Sequence, residues 1–139
     1  MSHRRTLIRN KAVDILKNAT AAAERVFPSR IGPLWQVQYP AILVYGRQES
    51  CQSISSSLTP SVRTLQLSIE IRASAEEGDM ESTLDDIALE IENLIKANPK
   101  LGNNAMSINL QSTEIDLGTD LGNKPIGASR LTYEVVYEE

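Results

Sequence analysis

The stretch Val62-Arg-Thr-Leu-Gln-Leu-Ser-Ile-Glu-Ile-Arg-Ala73 decides the fold, because apolar and polar side chains alternate along it. A period of two is typical of a strand with one buried face and one wet face. The buried face would hold Leu65, Leu67, Ile69, Ile71 and Ala73, and the wet face would hold Gln66, Ser68, Glu70 and Arg72.

A helix is predicted directly after this strand. Beyond a polar turn at 75–79, apolar residues recur every three or four positions from Met80 to Ala97. We expect Asp79 to cap this helix and Asn98-Pro99 to end it. Strand and helix would each be about 30 Å long, so the helix can cover the sheet. The helical stripe consists of Leu84, Ile87, Ala88, Ile91, Leu94 and Ile95.

The residues before that strand predict a helix, a short strand and a loop. Thr6–Val26 carries an apolar stripe at helical spacing, with its first residue as the expected cap and Phe27-Pro28 as its end. Tyr39–Tyr45 is a nearly continuous apolar run and predicts the first strand. Gly46–Ser61 is rich in serine and predicts a long polar loop, a kind of segment that is usually functional or disordered.

Two more strands are predicted after the second helix. Met106–Leu117 alternates, but its parity slips, so we expect a bulge or bend near 111–113. Gly118–Gly127 predicts a turn-rich loop, and Leu131–Tyr137 alternates as the last strand. The order α-β-β-α-β-β predicts an α+β two-layer sandwich, a four-stranded, mainly antiparallel sheet with two helices on one face. We expect one domain over residues 1–139.

Composition predicts a soluble protein made in a cytoplasm. One cysteine excludes an internal disulfide, no apolar run approaches a membrane span, and no secretory signal is visible. Residues 1–30 hold seven Lys or Arg and two Asp or Glu, a net charge of +5, whereas residues 31–139 hold seven and sixteen, a net charge of −9. We expect the basic segment to pair within the fold or between copies, with an anionic partner as the alternative. The acidic body disfavours wrapping of nucleic acid.

The inventory of catalytic residues is thin. His3 is the only histidine and lies at the terminus, and Cys51 is the only cysteine and has no histidine near it in sequence. No phosphate loop, dinucleotide fingerprint or zinc spacing occurs. The aromatic residues Trp35, Tyr39 and Tyr45 could stack on nucleic-acid bases, but without clustered cations we expect them to pack in the core and at its rim. The sequence therefore predicts no enzyme.

Acidic residues cluster at the turn before the second helix. Carboxylates at such a turn can hold a hard divalent cation, and the weak candidates here are Glu77, Asp79, Glu81 and Asp85. Acidic residues are also expected in a first helical turn because of the helix dipole. We therefore predict no cofactor, with a weak divalent cation as the alternative.

The chain resembles the tail terminator proteins of long-tailed bacteriophages, the minor tail protein U type of lambda-like phages. The residues that carry the resemblance are Tyr39-Pro-Ala-Ile-Leu-Val-Tyr45, Leu84-Asp85 at the second helix, and Leu131-Thr-Tyr-Glu-Val-Val-Tyr-Glu138. Element order and length agree over nearly the whole chain. The loops Gly46–Ser61 and Gly118–Gly127 have no counterpart in the family pattern, so no contact can be carried over for them.

The resemblance implies a structural protein of the virion tail that assembles in the host cytoplasm, from a phage or a prophage. Such proteins form a hexameric ring on the finished tail tube, stop further addition of the tube protein and present a surface to the head–tail joining protein. DNA would then pass through the lumen without specific binding, and an acidic lumen would suit that passage. No membrane contact is implied.

A ring needs surfaces between its subunits, and we expect them on the basic helix and on the polar sheet face. The candidate interface residues are Arg4, Arg5, Arg9, Arg47, Glu49, Gln66, Ser68, Glu70 and Arg72. Three alternatives stay open: a head–tail connector or other neck protein, a small metal-dependent enzyme that uses the acidic turn, and a nucleic-acid-binding α/β module.

Overall fold

A computed structural model describes residues 3–28, 39–52, 61–119 and 125–139. Its strands form one sheet in the order β1-β2-β3-β5-β4, and a short 3₁₀ turn, Glu77–Asp79, leads into the second helix. The elements in chain order are α1 (Arg4–Leu16), β1 (Val26–Phe27), β2 (Ala41–Gln52), β3 (Val62–Ser74), α2 (Met80–Lys96), β4 (Ser107–Thr119) and β5 (Pro125–Glu138).

The predicted α+β class is confirmed, but the described residues form a sheet of five strands instead of four. The additional strand is β1, which pairs in parallel with β2 through Val26 and Ile42 and through Phe27 and Leu43. All the other strand pairs are antiparallel. Two residues are too few to give a periodic signal, so the sequence pattern could not reveal this strand.

The prediction of one helix over Thr6–Val26 was wrong, because α1 ends at Leu16. Asn18 and Ala23 have φ angles of 60° and 53°, and such left-handed residues cannot continue a right-handed helix. The cap is His3 and not Thr6, since its Nδ1 accepts the backbone N–H of Arg5 at 3.0 Å. Of the expected stripe residues beyond the helix, Val26 is buried, Ala23 is half-buried and Ala19 is exposed.

The predicted loop Gly46–Ser61 is strand over its first seven residues. β2 runs to Gln52 after a bulge between Gly46 and Gln48, and its last residue pairs with Val62 at the start of β3. The bulge shifts the register by one residue, which interrupts the alternation of polar side chains. The sequence pattern of this segment therefore resembles that of a loop. Residues 53–60, at the end of this hairpin, lie outside the described residues, and so does Trp35.

The bulge predicted near residues 111–113 is confirmed, and it lies in β4. Leu110 pairs with Tyr133 and Ser112 pairs with Thr132, which leaves Gln111 as the extra residue. The predicted loop Gly118–Gly127 was too long, because the antiparallel pairing continues to Thr119 and Pro125.

Both bulges flank one row of the sheet. The row contains Gly46, Leu67, Tyr133 and Leu110, one residue from each of the four long strands. β2 gains its extra residue on one side of this row and β4 gains its own on the other side.

The core lies between the helices and the odd-numbered face of β3, as predicted. α1 packs over β1 and β2, and α2 packs over β3 and β5. The α2 bounds agree with the prediction, but the Asp79 side chain forms no cap, because Asp79 continues the 3₁₀ turn in a helical conformation. Instead, the Thr83 hydroxyl donates to the carbonyl of Asp79 at 2.9 Å. No helix in the described part of the chain is long and apolar enough to cross a membrane.

The opposite face of the sheet is not wholly wet, which corrects the prediction for its even-numbered residues. Gln66 is exposed and Arg72 is half-buried, but Ser68 and Glu70 are buried, as is Thr132 on β5. β2 contributes Leu43 and Tyr45 to this face, and both are buried as well.

We predict that Gly127 cannot take a larger side chain without loss of stability. A Cβ atom there would lie 2.8 Å from Cγ and Sδ of Met80 and 3.1 Å from Cδ1 of Leu84. Gly127→Val should lower the free energy of unfolding by about 1–3 kcal/mol, because overpacking displaces α2 from β5. Urea denaturation should show a lower midpoint at an unchanged slope.

The matched control is Gly118→Val on the neighbouring strand, where nothing lies within 4 Å of the added atom. A midpoint for Gly127→Val equal to that of this control would show that α2 does not contact β5 as closely as described.

Candidate functional site

A carboxylate whose side chain is only 9% exposed, that of Glu49 in β2, joins four elements at one end of the sheet. Its Oε2 lies 2.5 Å from Nη1 of Arg5 and 3.4 Å from Nη1 of Arg63, and its Oε1 accepts the hydroxyl of Tyr137. Burial, together with the hydrogen bond to Glu49, raises the pKa of Tyr137 to about 12. Because α1, β2, β3 and β5 each contribute one of these side chains, the cluster fixes the start of α1 on the sheet.

The first turn of α1 docks on this cluster. The Nε2 atom of His3 lies 3.1 Å from Nη1 of Arg63, and its ring meets Tyr137 edge-on at 6.4 Å between centroids. The backbone N–H of Arg4 donates to Oε2 of Glu139 at 3.1 Å, and its Nη1 donates to Oδ1 of Asn104 at 3.4 Å. Acidic side chains therefore offset the basic start of the helix, and part of the charge asymmetry is used inside the fold.

Two of the predicted interface residues outside this cluster are arginines without an ion pair to any described residue. Arg9 is half-buried, its Nε has no hydrogen-bond partner, and it forms no ion pair with any residue that the structure describes. Arg47 is the extra residue of the β2 bulge, and it is exposed. Both cations are therefore open to a partner.

A second carboxylate network lies on the other face of the sheet, around Glu70. Its Oε1 accepts the hydroxyl of Tyr45 at 2.8 Å and lies 3.5 Å from Nε of Arg130, and its Oε2 accepts Nε of Arg72 at 2.7 Å. Nη1 of Arg130 continues to Oε2 of Glu114 on β4 at 3.4 Å. The network thus crosses all four long strands.

The Glu70 network determines the ionisation of this carboxylate. Burial by itself would raise the pKa of Glu70, but the hydrogen bonds from Tyr45 and Arg72 and the charges of Arg72 and Arg130 outweigh burial and lower it. The same burial, with the hydrogen bond to Glu70, raises the pKa of Tyr45. Glu70 is therefore ionised at neutral pH and acts as a structural anchor.

A polar groove of about 190 Å³ lies beside this network on the same face. Arg47, Gln66, Thr132 and Glu134 are among the residues that line it. Of the predicted interface residues, the structure therefore brings Arg47 and Gln66 together here. Ser68 is separate from them, because it is fully buried and its Oγ has no partner among the described atoms.

The acidic turn does not converge on one point. Asp79, Glu81 and Asp85 are all exposed, and the side chain of Glu77 lies outside what the structure describes. Across residues 3–28, 39–52, 61–119 and 125–139, no group of three His, Cys, Asp or Glu is placed to hold a metal ion. Cys51 is a free, exposed thiol near the end of β2.

β4 forms an exposed apolar edge that was not predicted from the sequence. Its alternation predicted a half-buried strand, yet Leu110, Ile115 and Leu117 are exposed. Two helices of about 10 Å diameter cover about four strands at 4.8 Å spacing, and here they cover β1, β2, β3 and β5. A comparison of the width of two helices with the width of the sheet would have indicated an uncovered strand. To identify that strand as β4 required the strand order, which the sequence did not give.

We predict that Glu70→Gln lowers the free energy of unfolding by about 1–3 kcal/mol at pH 7, because it leaves Arg72 and Arg130 without their buried anion. A lowered folded-state pKa gives stability that is present above the ordinary value of about 4.3 and is lost as the pH falls through the folded-state pKa. The difference between the variant and the parent chain should therefore shrink below about pH 4. Urea denaturation over a pH series would measure it.

The control for this series is Glu114→Gln, because Glu114 belongs to the same network but its side chain is 61% exposed. That variant should change stability little at any pH. Equal losses for the two variants would contradict a central role for Glu70.

Comparison with known proteins places this chain among phage tail proteins. The model of the family described as "Phage minor tail protein U" matches residues 3–137. Among solved structures, a chain of "Virion of native gene transfer agent (GTA) particle" is similar with a TM-score of 0.46 and 11% identity, over 91% of this chain and 92% of that chain. A search of curated proteins gave no match. Because the family model covers almost the full length, the chain belongs to the phage minor tail protein U family and is a structural protein of a phage tail.

Proposed function

We propose that this protein forms a closed ring on the end of the phage tail tube, ends polymerisation of the tube and provides the surface that joins the head. Family membership over residues 3–137 supports a role in the tail, and the termination step is the specific part of the proposal. The proposed partners are other copies of this chain, the tail tube protein and the head–tail joining protein.

The structural observation that best supports a ring is that the two edges of the sheet are unlike. One edge carries β1, β2 and the basic helix α1, and the other is β4, which neither α1 nor α2 covers. A ring of identical subunits requires two different patches that meet head to tail, and closure then depends on the rotation between neighbours. Unlike surfaces at opposite edges fit that requirement.

The proposal predicts a ring-shaped oligomer of the purified chain. Sedimentation should give a species of about six times the chain mass of 15.3 kDa, and negative-stain images should show particles with a central hole. Open filaments of the wild-type chain, or a size that rises steadily with concentration, would contradict closure.

Termination itself can be measured on growing tubes. Tail tube protein that polymerises alone should give tubes of unlimited length, and addition of this chain should stop their growth at substoichiometric amounts, because only tube ends bind it. Electron microscopy of tube lengths over a time course provides the readout. Binding along the tube wall, or tubes that lengthen equally with and without the chain, would contradict the proposal.

A further inference from the structure

The exposed apolar side chains of this protein are concentrated on one flank. Six large hydrophobic residues are exposed in the described part of the chain, and only Leu7 lies away from β4 and the α2–β4 side. Monomeric proteins rarely leave such groups together in water. The five exposed hydrophobic residues on this flank are Leu89, Met106, Leu110, Ile115 and Leu117.

Strand pairing places the exposed apolar residues of β4 on the helix side of the sheet. Leu110, Ile115 and Leu117 are opposite Tyr133, Ser129 and Gly127 of β5, on the face that α2 covers further in. They therefore form an uncovered continuation of the core surface.

The adjacent side of α2 completes this flank. Glu92 and Lys96 line a groove of about 260 Å³ together with Ile108 and Leu110 of β4. Leu89 and Asp85 lie three and seven residues before Glu92, so helical periodicity puts them on the same side of α2. We call the surface formed by this side of α2 and the helix-side residues of β4 the β4 flank.

The backbone of β4 adds a second reason to expect a partner. β4 is an edge strand of 13 residues, and its only described pairing is with β5. Edge strands of monomeric proteins are usually short, covered or protected by charge. This edge is long, and its helix side is apolar, which is the pattern of a surface that another chain covers.

Charge identifies the opposite edge of the sheet as the matching surface. Helix α1 holds four Arg or Lys and one Asp, a net charge of +3, whereas α2 holds five Asp or Glu and one Lys, a net charge of −4. Of the α1 cations, Arg5 is paired with Glu49, but Arg9 and Lys11 form no ion pair with described residues. Leu7 is also exposed on α1, so that helix offers an apolar contact among cations.

We infer that the β4 flank binds the α1–β2 edge of a second copy of this chain, an inference that rests on the proposed ring. The neighbouring α1 would cover the apolar side of β4 and bring its cations to the acidic side of α2. The contact is heterologous, because each copy contributes one edge and the two edges differ.

Two variants test this inference, and both change only exposed positions. Leu89→Lys/Leu117→Lys adds two positive charges to the β4 flank, and Leu7→Glu/Asn10→Glu adds two negative charges to α1. Each variant alone should need at least about tenfold higher concentration to assemble than the wild-type chain, because each places like charges across the contact. An equimolar mixture should associate again, since every contact then joins two unaltered edges or two reversed edges.

The control is Glu90→Lys, which makes the same change of two charge units on α2 one residue beyond Leu89. Glu90 faces the segment after α1 and not the β4 flank, since its Oε1 accepts the backbone N–H of Ala21 at 3.3 Å. This variant should assemble like the wild-type chain. Circular dichroism and urea midpoints of all the variants should match the wild type. Analytical ultracentrifugation over a concentration series gives the assembly readout.

The outcomes separate the inference from the proposed function. If wild type forms rings and the Leu7→Glu/Asn10→Glu variant assembles equally well, the neighbour does not use α1 and the inference is wrong. If the Leu89→Lys/Leu117→Lys variant forms normal rings but no longer binds tail tubes, the occupant of the β4 flank is the tube protein and the inference is again wrong. A wild-type chain that stays monomeric at every concentration overturns both.

Discussion

The width of the helix layer sets the shape of this protein. Two helices can cover only part of a five-stranded sheet, and here α1 and α2 cover β1, β2, β3 and β5. The core is therefore complete at one edge of the sheet and ends abruptly at the other. The unlike edges, the apolar flank at β4 and the proposed mode of association all follow from this one mismatch in width.

Two carboxylates with little exposure hold the two faces of the sheet in a similar way. Glu49, on the helix side, fixes the start of α1, and Glu70, on the opposite side, links the four long strands. Each accepts a tyrosine hydroxyl and lies beside two arginines, so its charge is compensated locally. The basic start of the chain is for the same reason less available to partners than its composition indicates.

The sequence predicted the centre of the fold better than its margins. The buried odd-numbered face of β3, the stripe of α2 and the bulge in β4 are each carried by several residues, and all three were predicted correctly. The short β1 and the left-handed residue Asn18 after α1 are single local features, and periodicity cannot register them.

The candidate site was harder to predict, because it depends on which strands are neighbours. Glu70 was placed on a wet face, since a single strand cannot show that Tyr45 and Arg130 close over its carboxylate. The strand that contains Leu117 was expected to be half-buried, since the sequence does not state that β4 is an edge, but Leu117 is exposed. Both errors come from contacts between residues that are distant in the chain.

The paired bulges have a consequence for how copies can join. A flat sheet can add identical sheets by simple translation along its edges, which leads to fibres. In this protein the extra residues at Arg47 and Gln111 flank the row of Leu67 and Tyr133, and a bulge increases the local twist and bends its strand. The first and last of the four long strands, β2 and β4, are thus creased at the same height, so a neighbour that follows either of them must rotate as well as translate. A chain with such a crease is biased towards a curved assembly before any partner is present.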